Sequence, residues 1–271
     1  MPPSLERRRW RACGMFAAFL LVAVCRGAGG GQDVIDVSGA RFDVGPDGSI
    51  SASRGGSVLI RGTRLVLAGE GWKGSAHQGA MRAAAGFPRR EGAAHVFRGT
   101  LVEPVAGVAW AIEQRVEPVE GGVRVEYAAT PERDCAIGEI CVFLDLPVAE
   151  WSGKPLVLWP SEAGAFPEKP PGERHFMSGA TRRVALGAPG PDRLGLAFDA
   201  ATICTAQDGR GFGSDCYQIY PRLLTGRQVR AGTPCKLGIT IIPGDAAPVD
   251  VPRLTLECRE KPSFGRIDGG P

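Results

Sequence analysis

Asparagine is absent from the 271-residue sequence, and the chain has only three histidines and five lysines against 27 arginines. Without asparagine there is no Asn-X-Ser/Thr acceptor, which excludes N-linked glycosylation. No Cys-X-X-Cys pair and no neighbouring histidine pair is present, so a structural zinc site is not indicated. Gly-X-Ser-X-Gly and His-Glu-X-X-His motifs are missing as well. We therefore predict no metal and no cofactor.

Long apolar runs are also missing, although a short one lies near the N-terminus. The uncharged run at residues 15–24 has ten residues, whereas a membrane-spanning helix needs about 20. It follows the basic residues Arg7, Arg8 and Arg9 and precedes small residues from position 27 onward. This order predicts a secretory signal over residues 1–28, and hence export to the periplasm or the medium without a permanent membrane span. Lipid anchoring at Cys25 is a less favoured alternative, because Val24 before it is not small.

The net charge gives no reason to expect nucleic acid as a partner. The chain carries a formal net charge of +3, but residues 1–28 contain five arginines and one glutamate. The remaining chain has 27 basic and 28 acidic residues. The excess of positive charge therefore belongs to the predicted signal, and no basic track remains to bind phosphates.

Six cysteines follow the predicted signal, and an even number in an exported chain predicts disulfides. The short separations in sequence favour a Cys135–Cys141 and a Cys204–Cys216 pair. These two pairs leave Cys235 to bond with Cys258.

Helical periodicity is scarce, and the best candidate helix covers only residues 78–85 before Gly86. Alternating apolar and polar residues predict many short strands instead, for example at 123–127 with a partner at 116–119. The 39 glycines and 22 prolines fall largely between such runs, where they favour turns. We predict an all-β protein with a large antiparallel two-sheet sandwich over residues 29–260 and a disordered tail at 261–271.

The order of several strand segments is familiar. These segments are HVFRG at 95–99, WAIE at 110–113, GVRVEY at 122–127, VFLDLP at 142–147 and QVRAG at 228–232. Over about residues 90–245 the order resembles the supersandwich of galactose mutarotase-like domains. Such domains occur as sugar epimerases and as accessory or structural domains of polysaccharide lyases and glycoside hydrolases. The resemblance implies a sugar-related, extracytoplasmic role with a polysaccharide or oligosaccharide as partner.

Binding of sugar needs flat apolar rings, which tryptophan supplies. Trp72 and Trp151 lie in glycine- and serine-containing, loop-like segments, and Trp159 precedes Pro160 at the end of a predicted strand. These three are the candidate carbohydrate-binding residues. Trp110 lies inside an apolar strand, where packing in the core is the expected role.

Acid–base chemistry needs titratable groups near a sugar oxygen. His175 follows a Pro-Pro-Gly turn, and His77 lies close to Trp72 in sequence. Glu162 and Glu168 flank a segment with proline and glycine. These four residues are candidate catalytic groups.

Three functions remain open at this stage. The leading hypothesis is an exported carbohydrate-associated sandwich that binds sugar rather than cutting it. The second is an epimerase or lyase-like enzyme that uses a histidine and a carboxylate. The third is a structural or protein-interaction module of the cell envelope.

Overall fold

The computed structural model describes residues 33–170 and 172–244. Several predictions concern residues outside these ranges: the signal over 1–28, lipidation of Cys25, the pairing of Cys258 and the tail at 261–271. In the part of the chain that the structure describes, no helix is both long and apolar enough to cross a membrane.

The first four strands form a small antiparallel sheet in the order β1-β2-β3-β4. Their bounds are Asp33–Val37 for β1, Ala40–Val44 for β2, Ile50–Arg54 for β3 and Ser57–Ile60 for β4. Tight turns join the strands, and Ser38 and Gly39 both adopt positive φ between β1 and β2.

The other fourteen strands form one large, curled antiparallel sheet. They are β5 (Gly62–Ala68), β6 (Ser75–His77), β7 (Arg82–Ala83), β8 (Arg89–Glu91), β9 (Ala94–Val102), β10 (Ala109–Val119), β11 (Gly122–Pro131), β12 (Cys135–Pro147), β13 (Pro155–Trp159), β14 (Glu162–Ala165), β15 (His175–Leu186), β16 (Leu194–Asp208), β17 (Cys216–Val229) and β18 (Cys235–Pro243).

The main path through this sheet runs β6-β5-β12-β17-β16-β18-β11-β10-β9-β7, and β15 pairs with both β16 and β13. The helical elements described are α1 (Val148–Trp151) and the 3₁₀ turns Glu70–Trp72, Gln78–Ala80 and Gly209–Phe212.

The main hydrophobic core draws residues from both sheets, including Phe42 of β2, Ile50 of β3 and Leu65 of β5. Alternation along the strands produces it. On β11 the side chains of Val123 and Val125 are buried, and the residues between them are more exposed. Each fully buried aliphatic side chain contributes about 1.5–3 kcal/mol to folding. The predicted all-β sandwich is confirmed, and Trp110 lies in this core as expected.

The predicted helix at residues 78–85 is wrong. One 3₁₀ turn, Gln78–Ala80, is followed by β7, which pairs with β9. The reason lies in the buried side chain of Gln78, whose Oε1 accepts from Leu65 N at 2.9 Å and whose Nε2 donates to Gln114 Oε1 at 2.7 Å. These long-range bonds tie the segment to the sheet, and a local periodicity does not reveal them.

The two short disulfides predicted from sequence separation are wrong as well. Cys135, Cys141, Cys204, Cys216 and Cys235 are all free thiols. Cys135 and Cys141 lie on the same strand, six residues and therefore about 20 Å apart. Cys204 pairs with Pro221 of β17, which places Cys216 about 17 Å further along that strand. A disulfide needs Cα atoms within about 7 Å.

Candidate functional site

One face of the large sheet points away from the main core. We call the part of this face that is formed by β5, β6, β12, β17, β16 and β15 the open face. On β12, Ile140, Val142 and Leu144 belong to the main core, so the residues between them lie on the opposite face. There Val66, Cys141, Phe143 and Tyr220 form a second, small apolar cluster. This cluster is the floor of the candidate site.

Strand register places polar side chains around this floor. Arg64 lies opposite Phe143, and Asp145 lies opposite Gln218. Gln218 in turn faces Gln207, which faces His175. Because directly opposite residues share a face of the sheet, four neighbouring strands carry one polar row from Asp145 to His175.

Hydrogen bonds run along this polar row from one end to the other. Asp145 is ion-paired with Arg64 through one oxygen, and its other oxygen accepts from Gln218 Nε2 at 2.9 Å. Gln207 donates to Gln218 Oε1. His175 Nε2 lies 3.1 Å from Gln207 Oε1 and 3.1 Å from Tyr220 Oη. The row is therefore held together by its own members, with amide groups at its centre.

A second group of contacts fixes Trp72 at the margin of the open face. The carboxylate of Glu139, which is almost fully buried, is ion-paired with Arg222 and accepts from Trp72 Nε1 at 3.0 Å. The Trp72 ring meets Phe143 edge-on, with centroids 6.2 Å apart. Removing one partner of a buried ion pair typically costs about 3–5 kcal/mol, so this arrangement resists rearrangement.

The backbone at Trp72 is strained. Its φ is +57°, directly after Gly71 with φ +64°. A bulky residue in the left-handed region is a true outlier, and such strain concentrates at binding and catalytic sites. Trp72 is also 45% exposed. An exposed ring with a fixed N–H is a suitable platform for a ligand.

His77 lies next to this platform on β6. It faces Val66 of the floor, and its Nε2 is 3.1 Å from Ser75 Oγ. Burial lowers the pKa of His77, and the positive charge of Arg64 lowers it further, while Asp145 opposes the shift. At neutral pH the imidazole is therefore uncharged and available for hydrogen bonding.

The structure brings five of the predicted residues to the open face or its margins: Trp72, Trp159, His77, His175 and Glu162. Glu162 is exposed on β14, and its Oε2 accepts from Ser178 N at 3.3 Å. Trp159 ends β13 with 60% of its side chain exposed. Its carbonyl accepts from Thr181 Oγ1 of β15 at 2.6 Å.

Two predicted residues lie elsewhere. Trp151 is fully buried in the main core, its Nε1 donates to Leu59 O at 2.9 Å, and its ring packs 5.8 Å from Phe166. Glu168 is exposed beside Gly153, and its carbonyl accepts from Arg210. Neither side chain contacts the polar row described above.

Most members of the site were missed by the sequence analysis: Arg64, Glu139, Phe143, Asp145, Gln207, Gln218, Tyr220 and Arg222. A signal existed for two of them. Glu139 and Asp145 interrupt an apolar strand at positions that share one face, which is where a functional carboxylate in a half-buried sheet would lie. Within residues 33–170 and 172–244, no group of three His, Cys, Asp or Glu side chains is placed to hold a metal ion.

Several solved structures share this fold. A galactose mutarotase-like protein from Lactobacillus casei ATCC 334 superposes with a TM-score of 0.55 at 10% identity, over 78% of this chain and 99% of the other. A protein assigned as an aldose 1-epimerase from Escherichia coli K12 gives 0.53 at 12% identity over 78% and 99%. A galactose mutarotase related enzyme from Lactobacillus acidophilus gives 0.53 at 8% identity over 78% and 97%. No protein-family model and no curated protein matches the sequence.

These similarities define the fold as galactose mutarotase-like. The resemblance seen in the sequence is confirmed, and it extends over 78% of the chain. At sequence identities of 8–12%, these similarities show that the architecture is shared and nothing more. The activity of this chain must therefore be argued from its own open face.

Proposed function

We propose that the protein is an exported carbohydrate-binding β-sandwich and that the open face is its binding site. The single observation that carries the proposal is Trp72. Its backbone is strained, its ring is exposed and held by Glu139, and the ring contacts Phe143 of the floor beside the polar row. Apolar C–H groups of a sugar stack on such a ring, while amides and guanidinium groups bond the hydroxyls.

Binding without catalysis fits the placement of the two histidines. His77 on β6 and His175 on β15 are separated by the four strands β5, β12, β17 and β16. Five strand spacings correspond to about 24 Å along the sheet. A pair that acts on one sugar carbon must lie within hydrogen-bond reach of it. The carboxylates of Asp145 and Glu139 are already ion-paired with arginines.

The test is binding of the chain from residue 29 onward to a panel of oligosaccharides and polysaccharides by calorimetry and affinity electrophoresis. We expect Trp72→Ala to weaken binding about 10- to 100-fold, the equivalent of losing the burial of one aromatic face. Phe87→Ala is the matched control, because Phe87 stacks with Arg89 and Arg98 near β8 and β9. Equal affinity of the Trp72 variant and the wild type would contradict the proposal.

Epimerase chemistry is the second candidate, and one contact favours it. Burial raises the pKa of Tyr220 to about 12, so its hydroxyl keeps a proton, and it lies 3.1 Å from His175 Nε2. If the face catalyses a reaction, His175→Ala should abolish anomerisation or epimerisation of a bound sugar. No turnover by the wild type on sugars that bind would leave binding as the function.

A further inference from the structure

A second exposed tryptophan lies at the opposite margin of the open face. Leu156 and Leu158 of β13 are in the main core, so Trp159, next along the strand, points to the other side of the sheet. Ile203 of β16 is also exposed there and lies opposite Ala180 of β15. Trp159 thus lies at one margin of the face that carries Ile203, and Trp72 lies at the other margin.

The distance between the two margins exceeds one sugar ring. The Trp72 side chain contacts Glu139 and Phe143 of β12, and the strands run β12-β17-β16-β15-β13 from there to Trp159. Four strand spacings give about 19 Å measured along the sheet, and the curl of the sheet shortens the direct path. Between the margins lie the polar row and the aromatic floor of Phe143 and Tyr220. A ligand that contacts both tryptophans is therefore a chain of several sugar units.

The charges on the face favour a neutral chain. Arg64 is matched by Asp145 and Arg222 by Glu139. Near Trp159 the carboxylate of Glu162 accepts from the Ser178 N–H, and Arg183 lies directly opposite Trp159, so charges of both signs are present at this margin as well. An anionic glycan would have to compete with Asp145 and Glu139 for the guanidinium groups and would meet Glu162.

We infer that the open face binds a neutral oligosaccharide that runs across the strands and contacts Trp72 at one margin and Trp159 at the other. This inference rests on the proposed function and specifies its ligand.

The experiment measures Kd by calorimetry for cello-, manno-, xylo- and malto-oligosaccharides from the monosaccharide to the hexasaccharide, with oligogalacturonates as the anionic comparison. For the neutral series that binds, we expect affinity to rise at least 10-fold with chain length and then reach a plateau. Trp72→Ala and Trp159→Ala should each lower the affinity for the longest oligomer about 10-fold. Phe87→Ala should change nothing, and raising NaCl from about 50 to 500 mM should alter Kd less than about 2-fold, because a neutral ligand is not screened.

The outcomes separate this inference from the proposed function. If a monosaccharide binds as tightly as the hexasaccharide, the inference that one ligand spans both tryptophans is wrong, although the proposed sugar binding is not contradicted. The same conclusion follows if affinity still rises with chain length in the Trp159→Ala variant. Tighter, salt-sensitive binding of oligogalacturonates overturns the neutral class. If no saccharide binds the wild type, the proposed function itself fails.

Discussion

At the residue scale, the side chains of the open face are held by partners within the face, and this decides how they respond to pH. His77 is the clearest case. Burial and Arg64 lower the pKa of His77, so the folded state favours the neutral imidazole. An unfolded chain protonates histidine near pH 6.5.

The sign of the resulting pH dependence follows from linkage. Between the lowered pKa of folded His77 and about pH 6.5, the unfolded state binds more protons than the folded state. The free energy of unfolding therefore falls as pH drops below about 6.5. We expect His77→Gln to show a smaller decrease in this window than the wild type, measured by urea unfolding at about pH 7.5 and pH 5.

Ser75→Ala is the matched control for this prediction. It removes the partner of His77 Nε2 but keeps the titrating ring, so the wild-type pH dependence should remain. If His77→Gln lost stability between pH 7.5 and 5 as steeply as the wild type, His77 would not contribute to the acid sensitivity.

Trp72 and Trp151 show what a sequence reveals about a single residue. Both lie in short glycine-containing segments, Gly-Trp-Lys-Gly and Glu-Trp-Ser-Gly. Trp151 is buried because α1 directs its ring against Phe166 and its N–H to Leu59, which are contacts from distant parts of the chain. Trp72 lies in a turn where Gly71 and Trp72 both have positive φ, and it remains exposed although its N–H bonds to Glu139 of β12. Local composition predicted a loop-like context for both tryptophans, but it contains no information about these long-range contacts.

At the scale of elements, β12 controls the position of the Trp72 turn. A Cβ on Gly138 of β12 would lie 2.3 Å from the carbonyl oxygen of Gly69, which is closer than real contacts allow. Gly69 precedes the 3₁₀ turn Glu70–Trp72, and its oxygen accepts from Trp72 N at 3.0 Å. The absence of a side chain at position 138 therefore lets the turn approach the strand.

We expect Gly138→Ala to push this turn outward, which lowers the free energy of unfolding by about 1–3 kcal/mol and weakens sugar binding through displacement of Trp72. Urea unfolding and the saccharide panel measure the two effects. Gly62→Ala on the adjacent β5 is the control, since a Cβ there meets nothing within 4 Å. Unchanged stability and binding of the Gly138 variant would show that the turn is not held by this approach.

The strands themselves were largely predictable, and their pairing was not. Period-2 alternation identified the segment that became β11, because buried and less buried residues alternate along that strand. The expected hairpin of 116–119 with 123–127 is present in the pairing of Val116 with Val125. The row from Asp145 to His175 joins strands far apart in sequence, and no local pattern encodes that register.

At the scale of the whole molecule, the architecture is shared with proteins at 8–12% identity. Such sharing is physically reasonable, because alternation and turn positions specify a sandwich with many different side chains. The main core therefore specifies the fold without requiring particular side chains. For this reason the sequence analysis predicted the fold, whereas it found only part of the site, whose contacts join distant strands.

Export is a property of the whole chain, and it is testable independently of the fold. The basic segment, the ten-residue apolar run and the small residues after it predict a cleavable signal. We therefore expect the protein secreted by a bacterial host to begin near residue 29, as read by N-terminal sequencing and intact mass. Leu20→Arg should interrupt the apolar run, so that the precursor stays inside the cell.

Cys25→Ser is the matched control and should leave cleavage unchanged. If Cys25→Ser instead blocked processing, and the wild type carried a lipid mass at Cys25, a lipid anchor would replace free release. An intact N-terminus in the cytosol would overturn export.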